Sequence, residues 1–356
     1  MDTTTPLTAS RKWIYLLGLT CVSLVITFSA LEIFSRLFLK NITPPLVPNL
    51  EVGQLYRPHF KSFRYISESN RKIHLSTNAY GYRDTEWDFA TTAQKIMVIG
   101  DSFTDATQIE VEERYSDVLG RLFDASGKPT EIYNFGKSGS GPETYYLVLA
   151  KWFEIIKPDV VIVSLFNGND FENANYAITP ASGRINYDFK DGKVLRHADT
   201  ASFGEKTKWN LRYILGQSYV FQLLNDFSIK IRYAGSATST PSTIKPLYCD
   251  PQRLQTKESY AIVQKLIKEM YAIAGDKLVL LQIPDRDQRA GICGADALFP
   301  EQEILRTSQH LSIPILQSTY LFGTTTSPYY YPGHLNPKGH EVVAKKIFEL
   351  LNQLRK

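Results

Sequence analysis

The chain has 356 residues, 43% of them hydrophobic and 21% charged, which is an ordinary globular composition and excludes a largely disordered protein. The formal net charge is +4 and the basic residues are scattered rather than grouped, so nothing indicates binding of nucleic acid. Three cysteines and six histidines occur without the spacing of metal ligands, so the sequence predicts no metal site.

The N-terminal region predicts a membrane anchor. Trp13 to Leu31 are 19 residues without a charge, close to the length that a helix needs to cross the core of a bilayer. We assign residues 1–12 to a tail and 13–33 to a transmembrane helix. A cleavable signal peptide is the alternative, because Thr27-Phe28-Ser29 resembles a cleavage site, but the apolar run is longer than is usual for one. The flanking charges are nearly balanced and do not orient the helix.

Residues 34–94 are predicted to form a juxtamembrane tether and a lead-in to the main domain. The prolines between Thr43 and Pro48 favour an extended spacer, and Asn78 to Gly81 is typical of a turn. The aromatic residues of this region are expected to pack on the main domain as an edge hairpin. No residue here carries a chemical signal that outweighs this structural interpretation.

From Lys95 onward, strand and helix patterns alternate. Short apolar runs predict buried parallel strands, and the amphipathic helices between them predict helical layers on both faces of one sheet. Right-handed crossovers then give an α/β fold for residues 95–356. The predicted strands are Ile96–Ile99, Glu131–Phe135, Asp159–Phe166, Lys277–Ile283 and Ile313–Gln317, and the main predicted helices are Glu112–Phe123, Pro142–Ile156, Thr256–Ala274 and Glu341–Leu354.

Residues 171–248 are predicted to be an insertion in this domain. Asp191-Gly192 indicates a hairpin turn within Arg184 to Arg196, and Trp209 to Tyr233 has the apolar spacing of a helix. The insertion leaves from the carboxyl edge of the sheet, so a wall of a substrate site and a subdomain away from it are equally compatible with the sequence.

Two cysteines outside the anchor are predicted to form a disulfide. Cys249 ends the insertion and Cys293 follows the fourth strand, and in an exported domain a lone pair of this kind is reasonably a disulfide. Cys21 lies within the apolar run and is interpreted as a helix-packing residue.

Loops at the carboxyl edge of the sheet carry candidate catalytic residues. Ser102 follows the first strand and is a candidate nucleophile, although this site alone favours the alternative that Ser102 or Asp101 only caps the next helix. His334 precedes the last helix and is the candidate base, since a serine hydroxyl needs an imidazole to take its proton. Backbone N–H groups of Ser102 and Gly139 and the side-chain amide of Asn169 are candidate donors to an oxyanion.

These four blocks resemble the SGNH, or GDSL-type, hydrolase superfamily. Gly100-Asp101-Ser102 matches its first block, Asn134 to Gly139 the second, Gly168-Asn169-Asp170 the third and His334 the fourth, in the family's order. The resemblance covers Lys95 to the C-terminus without the insertion, and the anchor with its lead-in resembles membrane-tethered bacterial members. It implies a flavodoxin-like three-layer α/β/α sandwich, no cofactor, acyl transfer through the serine, and a position on the periplasmic side of the cytoplasmic membrane.

One position departs from the family pattern. An aspartate usually stands two or three residues before the histidine, where this chain has Pro332 and Tyr331. Either a backbone carbonyl orients His334, or an acid from elsewhere such as Asp285 or Asp287 replaces the aspartate, or activity has been lost. His340, on the last helix, is interpreted as a satisfied surface or capping residue rather than a second base.

The sequence therefore predicts a membrane-anchored serine esterase that acts on acyl esters of a cell-envelope carbohydrate or lipid. A polysaccharide O-acyltransferase is an alternative of the same fold, because a sugar hydroxyl can resolve an acyl-serine as water does. A catalytically inactive glycan-binding or assembly protein is the alternative from a different class.

Overall fold

A computed structural model describes residues 9–39, 45–179, 186–191, 193–234, 249–289, 298–322 and 327–354. The chain divides into two compact units, one formed by Met1–Pro44 with Arg212–Thr238 and the other by Pro45–Leu211 with Ser239–Lys356. The strands are β1 Leu46–Asn49, β2 Gly53–Tyr56, β3 Lys61–Ile66, β4 Arg71–Ser76, β5 Gln94–Gly100, β6 Thr130–Gly136, β7 Val160–Phe166, β8 Tyr187–Lys190, β9 Lys193–Arg196, β10 Leu278–Ile283 and β11 Ile315–Leu316. The helices are α1 Ala9–Phe38, α2 Ser102–Asp105, α3 Tyr115–Ala125, α4 Pro142–Ile156, α5 Asp170–Ala174, α6 His197–Thr200, α7 Phe203–Gly216, α8 Tyr219–Ala234, α9 Leu254–Ala274, α10 Arg286–Arg289, α11 Phe299–Leu311, α12 Thr319–Phe322 and α13 Pro337–Leu354.

The second unit is built on a parallel five-stranded sheet with the order β6-β5-β7-β10-β11. In chain order this is 2-1-3-4-5, the flavodoxin-like arrangement, whose strand order reverses between β5 and β7. The predicted α/β fold and its five strands are confirmed, with boundaries that differ by a few residues. The carboxyl ends of β5 and β7 flank the point of reversal, where open α/β sheets place their sites.

Helices cover both faces of the sheet. Alternate residues of a strand point to opposite faces, so each buried strand contributes side chains to two cores. Met97 and Ile99 of β5 face a core that contains residues of α4, α9 and α11, whereas Ile96 and Val98 face a core that contains residues of α3 and α13. All four of these strand residues are fully buried. Such two-sided burial explains why β5 is a continuous apolar run rather than an alternating one.

The region before the sheet is folded rather than extended. Strands β1 and β2 form one antiparallel hairpin, and β3 and β4 form a second. Val52, Tyr82 and Trp87 are buried in the same core as the α4 face of the sheet. The burial of Tyr82 and Trp87 agrees with the prediction that the aromatic residues of this region pack on the main domain, whereas the proline spacer predicted to be extended enters the β1–β2 hairpin at Leu46.

The insertion matches its prediction in part. The hairpin of β8 and β9 has Asp191 at its turn with φ 52°, the left-handed conformation that such turns require. The single helix predicted over Trp209 to Tyr233 is instead the two helices α7 and α8. They separate at Ser218, whose hydroxyl oxygen accepts from the N–H of Phe221 at 3.1 Å and so caps the start of α8.

The described cysteines differ in whether they form a disulfide. Cys249 is disulfide-bonded, whereas Cys21 is free. Cys293, the predicted partner of Cys249, lies outside the described residues. A disulfide in this unit fits a chain that matures in an oxidising compartment.

In the first unit, α1 contains a 27-residue stretch, Lys12–Phe38, that is long and apolar enough to cross a membrane. Its large apolar side chains are exposed, including those of Leu17, Val25 and Ile33. The length and composition of this stretch support a membrane span. A signal sequence near the N-terminus can meet the same criteria of length and composition.

Candidate active site

Ser102 is the first residue of α2, directly after the turn that ends β5. Asp101 caps this helix, because its Oδ1 accepts from the N–H of Phe103 at 2.9 Å. The hydroxyl of Ser102 is used differently, since its Oγ lies 3.0 Å from Nε2 of His334. The capping alternative thus applies to Asp101, and Ser102 contacts the predicted base.

His334 is held from its other side by a carboxylate. Its Nδ1 lies 2.8 Å from Oε2 of Glu68. A carboxylate can only accept, so the proton of this contact lies on Nδ1, and Nε2 is left as the acceptor for the hydroxyl of Ser102. The three side chains form a hydroxyl–imidazole–carboxylate relay of the kind that activates a serine.

Glu68 also fixes the backbone of the histidine loop. Its Oε1 accepts from the N–H of Gly333 at 2.9 Å and from the N–H of His334 at 2.6 Å. One carboxylate therefore sets both the position of the loop and the orientation of the ring. The side chains of Glu68 and His334 are 21% and 31% exposed, so both are in partial contact with solvent.

The acid comes from a region to which the sequence assigned no chemistry. Glu68 lies in the turn between β3 and β4, 266 residues from His334 in the chain. The polar turn after an alternating strand is visible in the sequence, but nothing in it identifies which distant residue the carboxylate contacts.

The acids proposed from the sequence do not take this position. Asp285 lies beside the loop after β7, because a Cβ built on Gly168 would be 3.1 Å from its Oδ2. The side chain of Asp287 lies outside the described residues. The prediction of Asp285 is corrected, since the carboxylate on Nδ1 of His334 belongs to Glu68.

The two loops that carry the predicted oxyanion donors stand on either side of Ser102. Gly139 follows β6 and Asn169 follows β7, the two strands that flank β5 in the sheet. Gly139 has φ 76°, a left-handed conformation that favours glycine. Oδ1 of Asn169 is buried and has no hydrogen-bond partner among the described residues; this oxygen only accepts, so the donor role predicted for the side-chain amide rests on the position of the loop.

Asp105 of α2 holds the glycine loop against the nucleophile helix. Its Oδ2 accepts from the N–H of Ser138 at 2.9 Å, from the hydroxyl of Ser138 at 2.6 Å, and from the hydroxyl of Tyr56 at 2.5 Å. Burial and the nearby Asp105 raise the pKa of Tyr56, so it remains a donor. The close approach of α2 to β6 needs glycine at position 136, where a Cβ would lie 2.3 Å from the backbone nitrogen of Asp105.

A buried arginine from the lead-in fixes the segment after α2. Arg83 donates to the carbonyl oxygens of Asp105 and Ala106 at 2.9 Å each and to that of Ile109 at 2.7 Å. Burial lowers the pKa of Arg83, with repulsion from Arg114 as the next cause, yet a guanidinium remains charged at neutral pH. The region before the sheet therefore supports the nucleophile as well as supplying the acid.

Solved structures of lipolytic hydrolases resemble this chain. A lipase/acylhydrolase from Enterococcus faecalis is 14% identical, with a TM-score of 0.42, and the match covers 73% of this chain and 96% of that one. A member of the lipolytic protein G-D-S-L family from Veillonella parvula is 12% identical, with a TM-score of 0.41 and coverage of 73% and 100%. The acetyl xylan esterase AlAXEase is 15% identical, with a TM-score of 0.39 and coverage of 72% and 98%.

No protein-family model matches the sequence, and a search of curated proteins finds no match. Identities of 12–15% do not transfer an activity from one chain to another. The functional assignment therefore depends on the side chains at the carboxyl edge of the sheet.

Two carboxyl groups next to predicted site residues are buried, those of Asp101, which precedes Ser102, and Asp170, which follows Asn169. Burial raises the pKa of Asp101 to about 6, although the N–H of Phe103 and the charge of His334 oppose this shift. Burial and the charge of Asp101 raise the pKa of Asp170 well above its usual value. Asp170 accepts from the N–H of Phe166 at 2.8 Å and thereby fixes the loop that carries Asn169.

His340 differs from its sequence-based interpretation because it is fully buried rather than on the surface. Its Nδ1 lies 3.3 Å from the N–H of Tyr115, for which it is the acceptor. Burial and the nearby Arg114 lower its pKa to about 3, so the ring is neutral at pH 7. His340 therefore joins α13 to α3 and takes no part in the relay.

Proposed function

We propose that this chain is an SGNH-type serine hydrolase that cleaves acyl esters. The observation that carries the proposal is the continuous relay in which Oγ of Ser102 lies 3.0 Å from Nε2 of His334 and Nδ1 lies 2.8 Å from Oε2 of Glu68. A serine placed in this way is activated for attack on a carbonyl carbon. The presence of an acid also removes the main reason to regard the chain as inactive.

In acylation, Oγ of Ser102 forms a bond to the carbonyl carbon while its proton moves to Nε2 of His334. The carboxylate of Glu68 stabilises the imidazolium that forms. The carbonyl oxygen becomes an oxyanion, which the N–H groups of Ser102 and Gly139 and the side-chain amide of Asn169 stabilise. The carbon–oxygen bond to the leaving alcohol then breaks, and the leaving oxygen takes the proton from Nε2.

In deacylation, His334 removes a proton from water and the resulting hydroxide attacks the acyl-serine. A second tetrahedral oxyanion forms at the same donors. It collapses to release the carboxylic acid, and the proton returns from Nε2 to Oγ of Ser102. The relay is regenerated without a change in the oxidation state of any group.

We infer further that the hydrolase is tethered to the cytoplasmic membrane by residues 13–33 and faces the periplasm. The length and composition of α1 support the tether, and the disulfide at Cys249 supports an oxidising compartment. The relay is partly exposed rather than enclosed, which suits an ester carried on a large cell-envelope carbohydrate or a lipid.

The test is labelling of the full-length protein with a fluorophosphonate probe, followed by hydrolysis of short p-nitrophenyl esters. We expect stoichiometric labelling at Ser102 and loss of both labelling and turnover in Ser102→Ala. Ser126→Ala, which changes an exposed serine after α3, is the matched control and should behave as the wild type. Wild-type turnover by Ser102→Ala would refute the proposal, as would a wild-type protein that neither labels nor turns over any acyl ester.

A further inference from the structure

Helix α8 carries an exposed apolar stripe in the same unit as α1. Leu224, Phe227 and Ile231 are 63%, 63% and 59% exposed, and their spacing places them on one face of the helix. Ile214 and Leu215, at the end of α7, are also exposed. Side chains of this size are rarely left together in water, so the stripe indicates a surface that binds something apolar.

The start of α8 is fixed to α1 by a carboxylate. Oε1 of Glu32 accepts from the N–H of Tyr219 at 3.0 Å, and Oε2 accepts from the N–H of Val220 at 3.1 Å and from the hydroxyl of Ser218 at 2.8 Å. These contacts satisfy N–H groups that a helix leaves unpaired at its first turn, and the negative charge suits the helix dipole. The two helices are therefore joined at a defined point.

That point lies at the end of the apolar stretch of α1. Glu32 is the first charged residue after Trp13 to Leu31, so in a membrane-spanning α1 it marks the boundary of the bilayer. Arg36 forms an ion pair with Glu32 at 2.8 Å and lies 5.1 Å from the centroid of the Tyr219 ring. Arginine and tyrosine are typical of the boundary between lipid and water.

We propose that α8 binds the surface of the bilayer, with Leu224, Phe227 and Ile231 inserted among the upper acyl chains. The proposal rests on the anchoring of α1 stated above, because Glu32 places the start of α8 at the membrane boundary. Charge favours lipid as the occupant of this surface. Residues 212–234 contain three basic residues, Arg212, Lys230 and Arg232, and one acidic residue, Asp226. The insertion thereby provides a second membrane contact, separate from the spanning helix.

The experiment uses the full-length protein in vesicles of phosphatidylcholine and phosphatidylglycerol. Phe227→Cys and Asn225→Cys, each with Cys21→Ser, are labelled with the environment-sensitive fluorophore NBD; Asn225 is exposed on the opposite face of α8 and is the matched control. We expect a blue-shifted emission at position 227 that is quenched by phospholipids with a doxyl group near the headgroup. At position 225 we expect the emission of a water-exposed label and quenching by aqueous iodide.

A third label, on the native Cys21, tests the anchor separately, because this residue lies within α1 and should be quenched by a doxyl group deep in the acyl chain. Quenching at Cys21 with identical, water-like emission at positions 225 and 227 would overturn the proposal while α1 remains an anchor. A blue shift at 227 without doxyl quenching, dependent on protein density, would assign the stripe to another copy of the chain instead. Water-like emission at both Cys21 and 227 would overturn the anchor and the proposal together.

Discussion

Two regions of the second unit contribute residues to the candidate site, and they differ in what positions them. The loops after β5, β6 and β7 are positioned by the sheet itself, since parallel strands deliver their carboxyl ends to one edge. The hairpin of β3 and β4 belongs to a separate two-stranded sheet, and at its turn Glu68 contacts the loop of His334.

The two regions thus separate the residues proposed to react, Ser102 and His334, from Glu68, which orients the histidine ring. In the proposed mechanism Ser102 and His334 exchange the proton, whereas Glu68 acts through the histidine ring and the backbone of its loop. Changes of Ser102 or His334 should therefore abolish turnover, whereas changes of Glu68 in the hairpin should lower it by a smaller factor. The predictions below test this order.

The largest effect is expected for His334→Gln, which removes the proton acceptor of Ser102. We expect kcat for ester hydrolysis to fall by about 10⁴- to 10⁶-fold, because a serine without its base loses nearly all of its reactivity. Steady-state kinetics at pH 7 measure this fall, and His310→Gln, an exposed histidine on α11, serves as the control. Retention of more than about a tenth of the turnover would contradict the role of His334 as base.

The next effect is expected for Glu68→Gln. The glutamine amide would donate toward Nδ1 of His334 and favour the wrong tautomer, so we expect kcat to fall by about 10²- to 10⁴-fold with little change in KM. Glu68→Asp should recover part of this loss. Glu86→Gln changes another lead-in carboxylate, one that pairs with His59 rather than His334, and should leave kcat unchanged. Equal kcat values for Glu68→Gln and Glu86→Gln would show that the hairpin does not orient the base.

A smaller effect, on stability, is expected for Arg83→Ala. The change leaves three buried carbonyl oxygens without their donor, so we expect the free energy of unfolding to fall by about 3–5 kcal/mol. Arg121→Ala is the matched control, since Arg121 also donates to a backbone carbonyl but at an exposed site, and should change stability by about 0.5 kcal/mol or less. Denaturant unfolding in detergent measures both, and equal losses would mean that the lead-in is only loosely joined to the nucleophile segment.

The smallest effect is expected for Asp101→Asn and depends on pH. The folded-state pKa of Asp101 is raised from 3.8 to about 6, so the native state binds the proton more tightly than the unfolded state. Wild-type stability should therefore decrease as pH rises from about 4 to 6, by at most about 3 kcal/mol from this group. Asparagine can still cap α2 but carries no charge, so the variant should gain stability over the wild type as pH rises. A difference between the two proteins that is the same at pH 4 and pH 7 would contradict this assignment.

The sequence predicts the sheet and its edge well because both follow from local patterns. Apolar runs mark β5 and β7, and topology then brings the loops after them together without knowledge of any side-chain contact. Ser102 and His334 were predicted in this way, and their contact at 3.0 Å follows from the fold.

Glu68 could not be predicted because its position depends on a long-range contact between the turn of a small hairpin and the loop before α13. The same holds for Arg83, whose three acceptors are more than 20 residues away in the chain. The missing aspartate before His334 indicates that an acid must come from elsewhere. Many carboxylates of the chain are equally compatible with that role as far as the sequence shows. The choice among them is made by tertiary packing.

The place of Glu68 in the chain has a practical consequence. We expect the shortest active fragment to begin near Pro45 and not at Gln94, although the sheet and the proposed nucleophile and base come after Gln94. Trimming the protein to its sheet would remove Glu68 together with Arg83, so we expect such a fragment to lose stability as well as the acid of the proposed relay. The length of chain kept before Gln94 should therefore determine both the stability and the turnover of a fragment made without α1.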